Sequence, residues 1–240
     1  MSPPTVSLVV PAYNEQWRVD RFVDSARSTI QPDLAEAGLE LAEVIVVDDG
    51  STDGTAATLR DAPDAIRVLS RDHAGKGGAV AHGVAAARAD LVLISDLDLA
   101  TPVADAGRLL ERLSAGADVA VGSRRAPGAE VVGITAARGL AGRSFGRLAS
   151  LLVGVRVADT QCGFKLMPAD VARRLTTDMV VRGFAYDVEL LLRARRAGLR
   201  VDEVPVRWVH ASASKVHLLR AGPRMLWELA RLARAYGSRA

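Results

Sequence analysis

Short apolar runs alternate with segments of helical spacing through the first half of the chain. The runs predict strands at residues 6–10, 44–47, 66–69, 91–94 and 118–122, and the segments between them predict helices at residues 16–30, 55–61, 75–88 and 102–114. Strands that alternate with helices form βαβ units, in which helices cover both faces of a mostly parallel sheet. We therefore predict an α/β protein with a mostly parallel central sheet flanked by helices.

The second half of the chain has a looser pattern. It predicts helices at residues 136–153, 187–197 and 223–236, another helix from Pro168, and a strand at residues 201–208. Pro223 is predicted to open the last helix, because proline fits the first helical turn. That helix is amphipathic and basic, so it either lies in an anionic membrane interface or packs on its own domain with a solvated basic face.

Charge and cysteine content narrow the class of protein. The 31 Lys and Arg residues exceed the 28 Asp and Glu residues by three, too few to indicate a nucleic-acid partner. Cys162 is the one cysteine, which rules out an intrachain disulfide and indicates a reducing compartment. No signal peptide and no apolar run of about 20 residues is present. The expected location is cytoplasmic, with any membrane contact peripheral, at the inner face.

Polar segments follow three of the predicted strands. They are residues 11–15 after the first strand, residues 48–54 after the second and Asp96-Leu97-Asp98 after the fourth. Ligands of parallel α/β sheets bind beyond the carboxyl ends of the strands. We therefore expect these three segments, which are distant in sequence, to converge on one rim of the sheet.

Asp96 and Asp98 are candidate ligands for a divalent cation. On an extended strand, side chains at i and i+2 point to the same face, where both carboxylates can reach one ion. Hard oxygen ligands suit Mg²⁺ or Mn²⁺. The alternative is a solvated loop leading to an N-cap at Thr101, and Asp-x-Asp alone does not decide between the two.

The other rim residues also carry two interpretations each. A carboxylate after the second strand can accept hydrogen bonds from a nucleobase imide or a ribose hydroxyl, or it can cap the next helix through an Asx turn. Asp49 is the better ligand candidate, and Asp53 is predicted as a cap or turn residue. The glycines around Lys76 lack the spacing of a phosphate-binding P-loop, but they can admit an anion or serve close helix packing. Arg124 follows the fifth strand, where it can pair with phosphate oxygens or lie on a solvated face.

Taken in order, these segments resemble inverting glycosyltransferases of family 2. Residues 9–15, 47–53 and 96–98 carry that resemblance. Residues 122–124, 159–166, 184–190 and 203–206 are similar to dolichyl-phosphate β-glucosyltransferases and in part to dolichyl-phosphate mannose synthases. The resemblance covers roughly residues 5–216. It implies the GT-A fold as a single Rossmann-like domain over residues 1–240, with a nucleotide-binding half at 5–122, an acceptor-binding half at 123–216 and the C-terminal helix at 223–236.

The resemblance also implies a role for each matching residue. Those expected to bind the nucleotide sugar are Pro11, Tyr13, Glu15, Asp49, Lys76 and Asp96. Asp96 and Asp98 are expected to hold Mg²⁺ or Mn²⁺ on the donor diphosphate. Those expected to bind an acceptor phosphate are Arg124, Arg138, Arg143 and Lys215. The expected catalytic residues are Asp98, Arg124 and Asp159, with Asp159 either a base or a positioning residue.

The implied reaction moves glucose from UDP-glucose to a polyprenyl or dolichyl phosphate. GDP-mannose is the alternative donor, because the rim motifs do not specify the base or the sugar. A soluble acceptor is the alternative to the lipid, since membrane anchors found in relatives have no counterpart in this sequence. A nucleotide-sugar-binding module without activity is a third hypothesis, against which the intact Asp96, Asp98 and Asp159 argue.

Overall fold

The computed structural model describes residues 2–62, 65–133, 144–149, 157–209 and 218–237. Its strands are β1 Thr5–Ala12, β2 Glu40–Asp48, β3 Ile66–Ser70, β4 Leu91–Ile94, β5 Val119–Ser123, β6 Glu130–Val132, β7 Lys165–Pro168, β8 Val201–Pro205 and β9 Arg207–Val209. Seven of them form the central sheet in the order β3-β2-β1-β4-β7-β5-β8, while β6 and β9 form a small second sheet. All pairs are parallel except those that β7 makes with β4 and β5. The predicted α/β class is confirmed.

Helices cover both faces of the central sheet. They are α1 Gln16–Ser28, α2 Ile30–Glu36, α3 Thr55–Arg60, α4 Lys76–Ala86, α5 Ala106–Ser114, α6 Ala169–Thr176, α7 Tyr186–Arg196 and α8 Leu218–Tyr236, with a short 3-10 helix at Val103–Asp105. Within β1, Val9 faces the apolar layer beneath α4, α6, α7 and α8, whereas Leu8 and Val10 face the layer beneath α1, α2 and α5. Alternate residues of one strand thus pack into two different apolar layers, which explains why the strands are apolar throughout.

Two predicted elements end earlier than predicted, and each is followed directly by another element. The helix predicted over residues 16–30 ends at Ser28, and α2 follows it. The strand predicted over residues 201–208 is two strands, because the chain leaves the central sheet at Val206. The Val206 N–H donates to the Ser123 carbonyl at 3.3 Å, and its own carbonyl accepts the Glu130 N–H at 3.2 Å.

The prediction that Pro223 opens the last helix is wrong. Helix α8 begins at Leu218 and contains Pro223. Pro223 is exposed, and the helix continues past it to bury Leu229 and Leu232 completely. Tertiary packing therefore outweighs the local preference of proline. Of the helix predicted over residues 136–153, residues 144–149 are helical and the others lie outside the described residues.

Strand β7 is the unpredicted element with the largest effect on the rim. It has four residues, begins with a buried lysine and ends with a proline. Because β7 runs antiparallel between β4 and β5, its amino-terminal end lies at the rim where its neighbours end. The preceding loop therefore meets the end of β4, and a Cβ added to Gly163 would lie 2.7 Å from Oδ2 of Asp96.

Candidate active site

Asp96 and Asp98 lie in a turn after β4, so the extended geometry that would point both side chains to one face does not apply. The strand ends at Ile94, and the Leu99 N–H donates to the Asp96 carbonyl at 3.0 Å. Leu99 has a φ of 46°, a left-handed conformation that is rare for leucine. The two carboxylates still influence each other, because burial and then the charge of Asp96 raise the pKa of Asp98.

Lys76, the first residue of α4, pairs with Asp96. Its Nζ lies 2.5 Å from Oδ1 of Asp96. Burial alone would lower the pKa of Lys76, but Asp96 and then Asp187 raise it above its ordinary value. For Asp96 the effects are reversed: burial alone would raise its pKa, but the charge of Lys76 holds that pKa below its ordinary value. Both groups are therefore charged at neutral pH, and Asp96 is available as an anionic ligand.

The glycines around Lys76 allow α4 to begin close to other backbone. Gly75 has a φ of 100°, and a Cβ there would lie 2.6 Å from the Arg182 carbonyl oxygen. A Cβ on Gly77 would lie 2.4 Å from Cβ of Tyr186. Close helix packing, one of the two interpretations of this segment, is what the structure contains, and anion binding by Lys76 stays a prediction.

Arg18, which was not among the predicted site residues, contacts Asp98. Its Nη1 lies 3.4 Å from Oδ2 of Asp98 and 3.4 Å from Oε2 of Glu15. Its guanidinium also stacks on Trp17, with 4.1 Å between Cζ and the ring centroid. The available signal was its position, three residues after Glu15 in the first turn of a helix that begins at the rim.

Asp49 is buried, and its carboxylate is held by the loop between β3 and α4. It accepts the backbone N–H groups of Ala74 at 3.1 Å and Gly75 at 2.8 Å. Arg71 Nε and His73 Nδ1 lie 3.3 Å and 2.9 Å from its two oxygens. In this structure Asp49 therefore anchors the loop that leads to Lys76. Contact between Asp49 and a nucleotide stays a prediction.

Tyr13 and Glu15 follow the carboxyl end of β1, and Tyr13 contacts this loop. The exposed Tyr13 ring stacks on His73, with 4.1 Å between centroids. The Glu15 N–H donates to Oγ1 of Thr55 at 2.8 Å. Pro11 is opposite Val47 in the β1–β2 pair. The predicted nucleotide-binding residues thus gather at one rim, as expected from their positions after the strands.

Arg124 and Asp159 form a bidentate ion pair beside β5. Nε and Nη2 of Arg124 lie 2.6 Å and 2.8 Å from the two oxygens of Asp159, and the Arg124 N–H donates to Oδ2 at 3.0 Å. The guanidinium Cζ also lies 5.5 Å from the centroid of the Trp208 ring. Burial alone would raise the pKa of Asp159, but Arg124 holds it below its ordinary value. A carboxylate with a lowered pKa is a weak proton acceptor.

Lys165 and Asp187, neither of them a predicted site residue, form a buried ion pair beneath this rim. Lys165 Nζ contacts Oδ1 of Asp187 and donates to the Cys162 carbonyl at 2.5 Å. The two side chains are only 1% and 5% exposed. A lysine inside an apolar run and an aspartate in the first turn of an apolar helix were the signals for this pair. Cys162 itself is buried, as predicted, and burial raises its pKa to about 11.

The chain offers a divalent cation two carboxylates and no closed cage. No group of three or more His, Cys, Asp or Glu side chains forms a cation site within the part of the chain that the structure describes. Asp96 and Asp98 supply hard oxygen donors, which suit Mg²⁺ or Mn²⁺ when substrate phosphates and water complete the coordination. Arg138, Arg143 and Lys215, predicted to bind an acceptor phosphate, lie outside the described residues.

Comparison with known sequences identifies relatives across most of the chain. The profile of "Glycosyl transferase family 2" matches residues 7–176. Glycosyltransferase AglD of Haloferax volcanii is 37% identical over 220 residues, which is 90% of this chain and 35% of AglD. The dolichyl-phosphate beta-glucosyltransferase of Drosophila melanogaster is 34% identical over 224 residues, covering 88% of this chain and 69% of that protein. The chain therefore spans about a third of AglD and about two thirds of the Drosophila enzyme.

Solved structures share the fold. Glucosyl-3-phosphoglycerate synthase from Mycobacterium tuberculosis, in complex with phosphoglyceric acid, has a TM-score of 0.71 and 23% identity over 98% of this chain and 80% of that chain. Its complex with Mn²⁺, UDP and glucosyl-3-phosphoglycerate has a TM-score of 0.70 at 22% identity, with the same coverage. These likenesses establish the GT-A fold. Because the family profile also covers most of the sequence, the chain belongs to glycosyl transferase family 2.

Proposed function

We propose that this chain transfers glucose from UDP-glucose to a polyprenyl or dolichyl phosphate, with inversion at the anomeric carbon. The observation that carries the proposal is the meeting of two motifs at one rim. The loop that contains Asp159 and Gly163 packs against Asp96, so the expected donor and acceptor motifs adjoin. The similarity to dolichyl-phosphate beta-glucosyltransferases, over 88% of the chain for the Drosophila enzyme, supports the choice of sugar and acceptor.

A divalent cation, Mg²⁺ or Mn²⁺, fits Asp96 and Asp98 as the partner of the donor diphosphate. The cation supplies positive charge that stabilises the departing nucleoside diphosphate. Mn²⁺ and UDP occur together in structures of glucosyl-3-phosphoglycerate synthase, which has the same fold. Lys76, charged and paired with Asp96, adds a second positive group at this place.

The proposed reaction needs positioning more than proton removal. An oxygen of the acceptor phosphate attacks the anomeric carbon from the face opposite UDP. The bond between that carbon and UDP breaks, and its electron pair leaves with the diphosphate oxygen. A phosphate is already anionic near neutral pH, so no base is required. The lowered pKa of Asp159 and its pairing with Arg124 favour a positioning role for Asp159.

The assay that tests this proposal compares acceptors and donors directly. The protein with Mn²⁺ is given radiolabelled UDP-glucose and either dolichyl phosphate, undecaprenyl phosphate or 3-phosphoglycerate. We expect label in the organic phase with a polyprenyl phosphate and none without it. GDP-mannose replaces UDP-glucose in a parallel reaction. If neither UDP-glucose nor GDP-mannose gives a lipid product, the proposed acceptor is contradicted.

A soluble phosphorylated acceptor is the second candidate. Its support is the likeness in fold to glucosyl-3-phosphoglycerate synthase over 98% of the chain. Both candidates require a cationic place for an acceptor phosphate beside the donor. Label in the aqueous product with 3-phosphoglycerate, and none in the organic phase, selects this candidate over the first.

We further propose that α8 contacts an anionic membrane surface as a peripheral element at the cytoplasmic face. On one side of α8, Leu229 and Leu232 are buried against the protein. On the other side, Leu226 and Trp227 are 49% and 59% exposed. Arg231 stacks on Trp227, with 4.9 Å between Cζ and the ring centroid. Exposed arginines beside exposed apolar side chains are typical of interfacial helices. Across the described ranges, no helix has the length and hydropathy needed to cross a bilayer.

Vesicle binding tests the α8 surface. We expect co-sedimentation with vesicles containing anionic phosphatidylglycerol and much less with pure phosphatidylcholine. Trp227→Ala is expected to weaken binding about 10-fold, the equivalent of about 1.4 kcal/mol. Trp17→Ala, an exposed tryptophan on α1, is the matched control. Equal losses in the two variants contradict a specific role for α8.

A further inference from the structure

Glu203 on β8 holds the loop of Asp159 by its backbone. Oε1 of Glu203 accepts the Asp159 N–H at 3.0 Å, and Oε2 accepts the Ala158 N–H at 2.8 Å. Both oxygens of one carboxylate are therefore committed to two consecutive amides. Hydrogen bonds to an ionised acceptor are stronger than those between neutral groups, so this clamp fixes the loop firmly.

The same loop is held from its other side by the end of β5. Nη1 of Arg125 donates to the Ala158 carbonyl at 2.7 Å, and Arg124 grips the Asp159 carboxylate through two nitrogens. In the parallel β5–β8 pair Glu203 is opposite Val121, and Val121 lies three residues before Arg124. The register of the two strands thus sets the clamp and the arginines on opposite sides of one short loop.

We propose that Glu203 is a positioning residue for the Asp159–Arg124 pair, and so for the acceptor. This inference rests on the proposed transfer reaction. Glu203 needs no contact with substrate for this role. If the Glu203 carboxylate is lost, the two amides lose their acceptors. Asp159 and the Arg124 guanidinium paired with it can then move. A displacement of about 1 Å in a positioning group can cost about 100-fold in rate.

Glu203→Gln tests the clamp with almost no change in shape. Glutamine has one acceptor oxygen, so one amide keeps its partner while the other faces an NH₂ group, a donor against a donor. We expect kcat to fall about 10- to 100-fold while KM for UDP-glucose stays within about 2-fold, because Asp96, Asp98 and Lys76 are untouched. Glu203→Asp keeps two acceptor oxygens and should recover part of the lost kcat.

Asp202→Asn is the matched control on the same strand. Asp202 pairs with the exposed Arg200, and within the described residues its carboxylate makes no hydrogen bond to the Asp159 loop, so kcat should match that of the unmodified protein. Amide hydrogen exchange gives a readout that is independent of turnover. We expect faster exchange at Ala158 and Asp159 in Glu203→Gln and unchanged exchange in Asp202→Asn.

The outcomes separate this inference from the proposed function. If the unmodified protein makes no glucosyl product, the proposed function fails, and the exchange data alone decide whether Glu203 holds the loop. If it makes product and Glu203→Gln matches it in kcat, the positioning role is wrong. If Glu203→Gln lowers kcat, weakens donor binding and also lowers the melting temperature, Glu203 has a general structural role, and the inference is likewise overturned.

Discussion

Aspartates that follow strands have different partners in this protein. Asp98 is held at a distance of 3.4 Å by Arg18, and burial with the nearby Asp96 raises its pKa. Asp53 accepts the Thr55 N–H at 2.9 Å in the turn before α3, the turn role predicted for it. Asp98 also accepts an N–H of its own turn, that of Ala100 at 3.1 Å, so what distinguishes it from Asp53 is the neighbouring Asp96 carboxylate, which makes a cation a favourable partner.

Replacing Asp98 should therefore separate activity from stability. Asp98→Asn removes a charge that burial and Asp96 disfavour, so we expect an unchanged or higher melting temperature. Turnover should fall about 1,000-fold or more, because a proposed cation ligand is lost. Asp53→Asn is the matched control, in which activity persists. Glucosyl transfer and thermal unfolding measure the two effects, and wild-type turnover in Asp98→Asn contradicts the assignment.

The Cys162 thiol should be inert in the folded protein. Burial raises its pKa to about 11, above its ordinary value, so the reactive thiolate is scarce below that pH. At pH 8 we expect its reaction with a disulfide reagent to be slower than in guanidinium on the order of 10²-fold. The rate should increase as pH rises toward 11 in the native state. Equal rates in the folded and unfolded protein would contradict the buried position.

At the scale of elements, the ion pair between β7 and α7 should be costly to break. Lys165 and Asp187 are 1% and 5% exposed, so removing either partner leaves a buried charge. We expect Lys165→Met to lower the free energy of unfolding by about 3–5 kcal/mol. Urea unfolding measures the change. Arg200→Ala, which breaks a pair with Asp202 in which the arginine is 55% exposed, should lower it by about 1 kcal/mol or less.

Replacing both partners by apolar residues is the control for this pair. Lys165→Met with Asp187→Leu leaves no unpaired charge, so the double variant should be more stable than Lys165→Met alone. If the single and double variants are equally unstable, packing and not charge accounts for the loss.

The sequence predicts an element well when the element carries its own pattern. Strands β1 to β4 are apolar runs, and α1, α4 and α5 follow with helical spacing, so their existence could be predicted locally. Strand β7 carries no such pattern, because Lys165 is charged and Pro168 cannot donate to a ladder. Its place depends on Asp187, a partner 22 residues away that a local pattern does not identify.

At the scale of the whole molecule, the position of the candidate site could be predicted from the sequence, but its residue pairings could not. Convergence of Tyr13, Asp49 and Asp96 on one rim could be predicted, because parallel strands end together. The partners of Asp98, Asp187 and Asp159 could not, since Arg18, Lys165 and Glu203 respectively reach them only through tertiary packing. Roles for the predicted site residues stay predictions, with the pairings of Lys76 with Asp96 and Arg124 with Asp159 as new constraints on them.

Ligand binding should stabilise the whole chain if the rim binds a nucleotide and a cation. At concentrations about 100 times the dissociation constant, binding contributes about 2.7 kcal/mol, or about 5–10 °C in melting temperature for a chain of this size. We expect this shift with UDP and Mn²⁺ together and a smaller one with either alone. GDP with Mn²⁺ is the comparison, and an equal or larger shift with GDP argues for the alternative donor.

The antiparallel course of β7 affects how the protein can be divided. The proposed nucleotide-binding half, residues 5–122, includes β4 and β5, yet among the described strands it is β7, from the other half, that lies between them and pairs with both. Expressed alone, that half would present Leu91–Ile94 as an open, apolar sheet edge, which is a template for aggregation. Donor and acceptor specificities therefore cannot be recombined by exchanging halves at residue 122. A chimera must carry β7 and its loop together with the sheet that they complete.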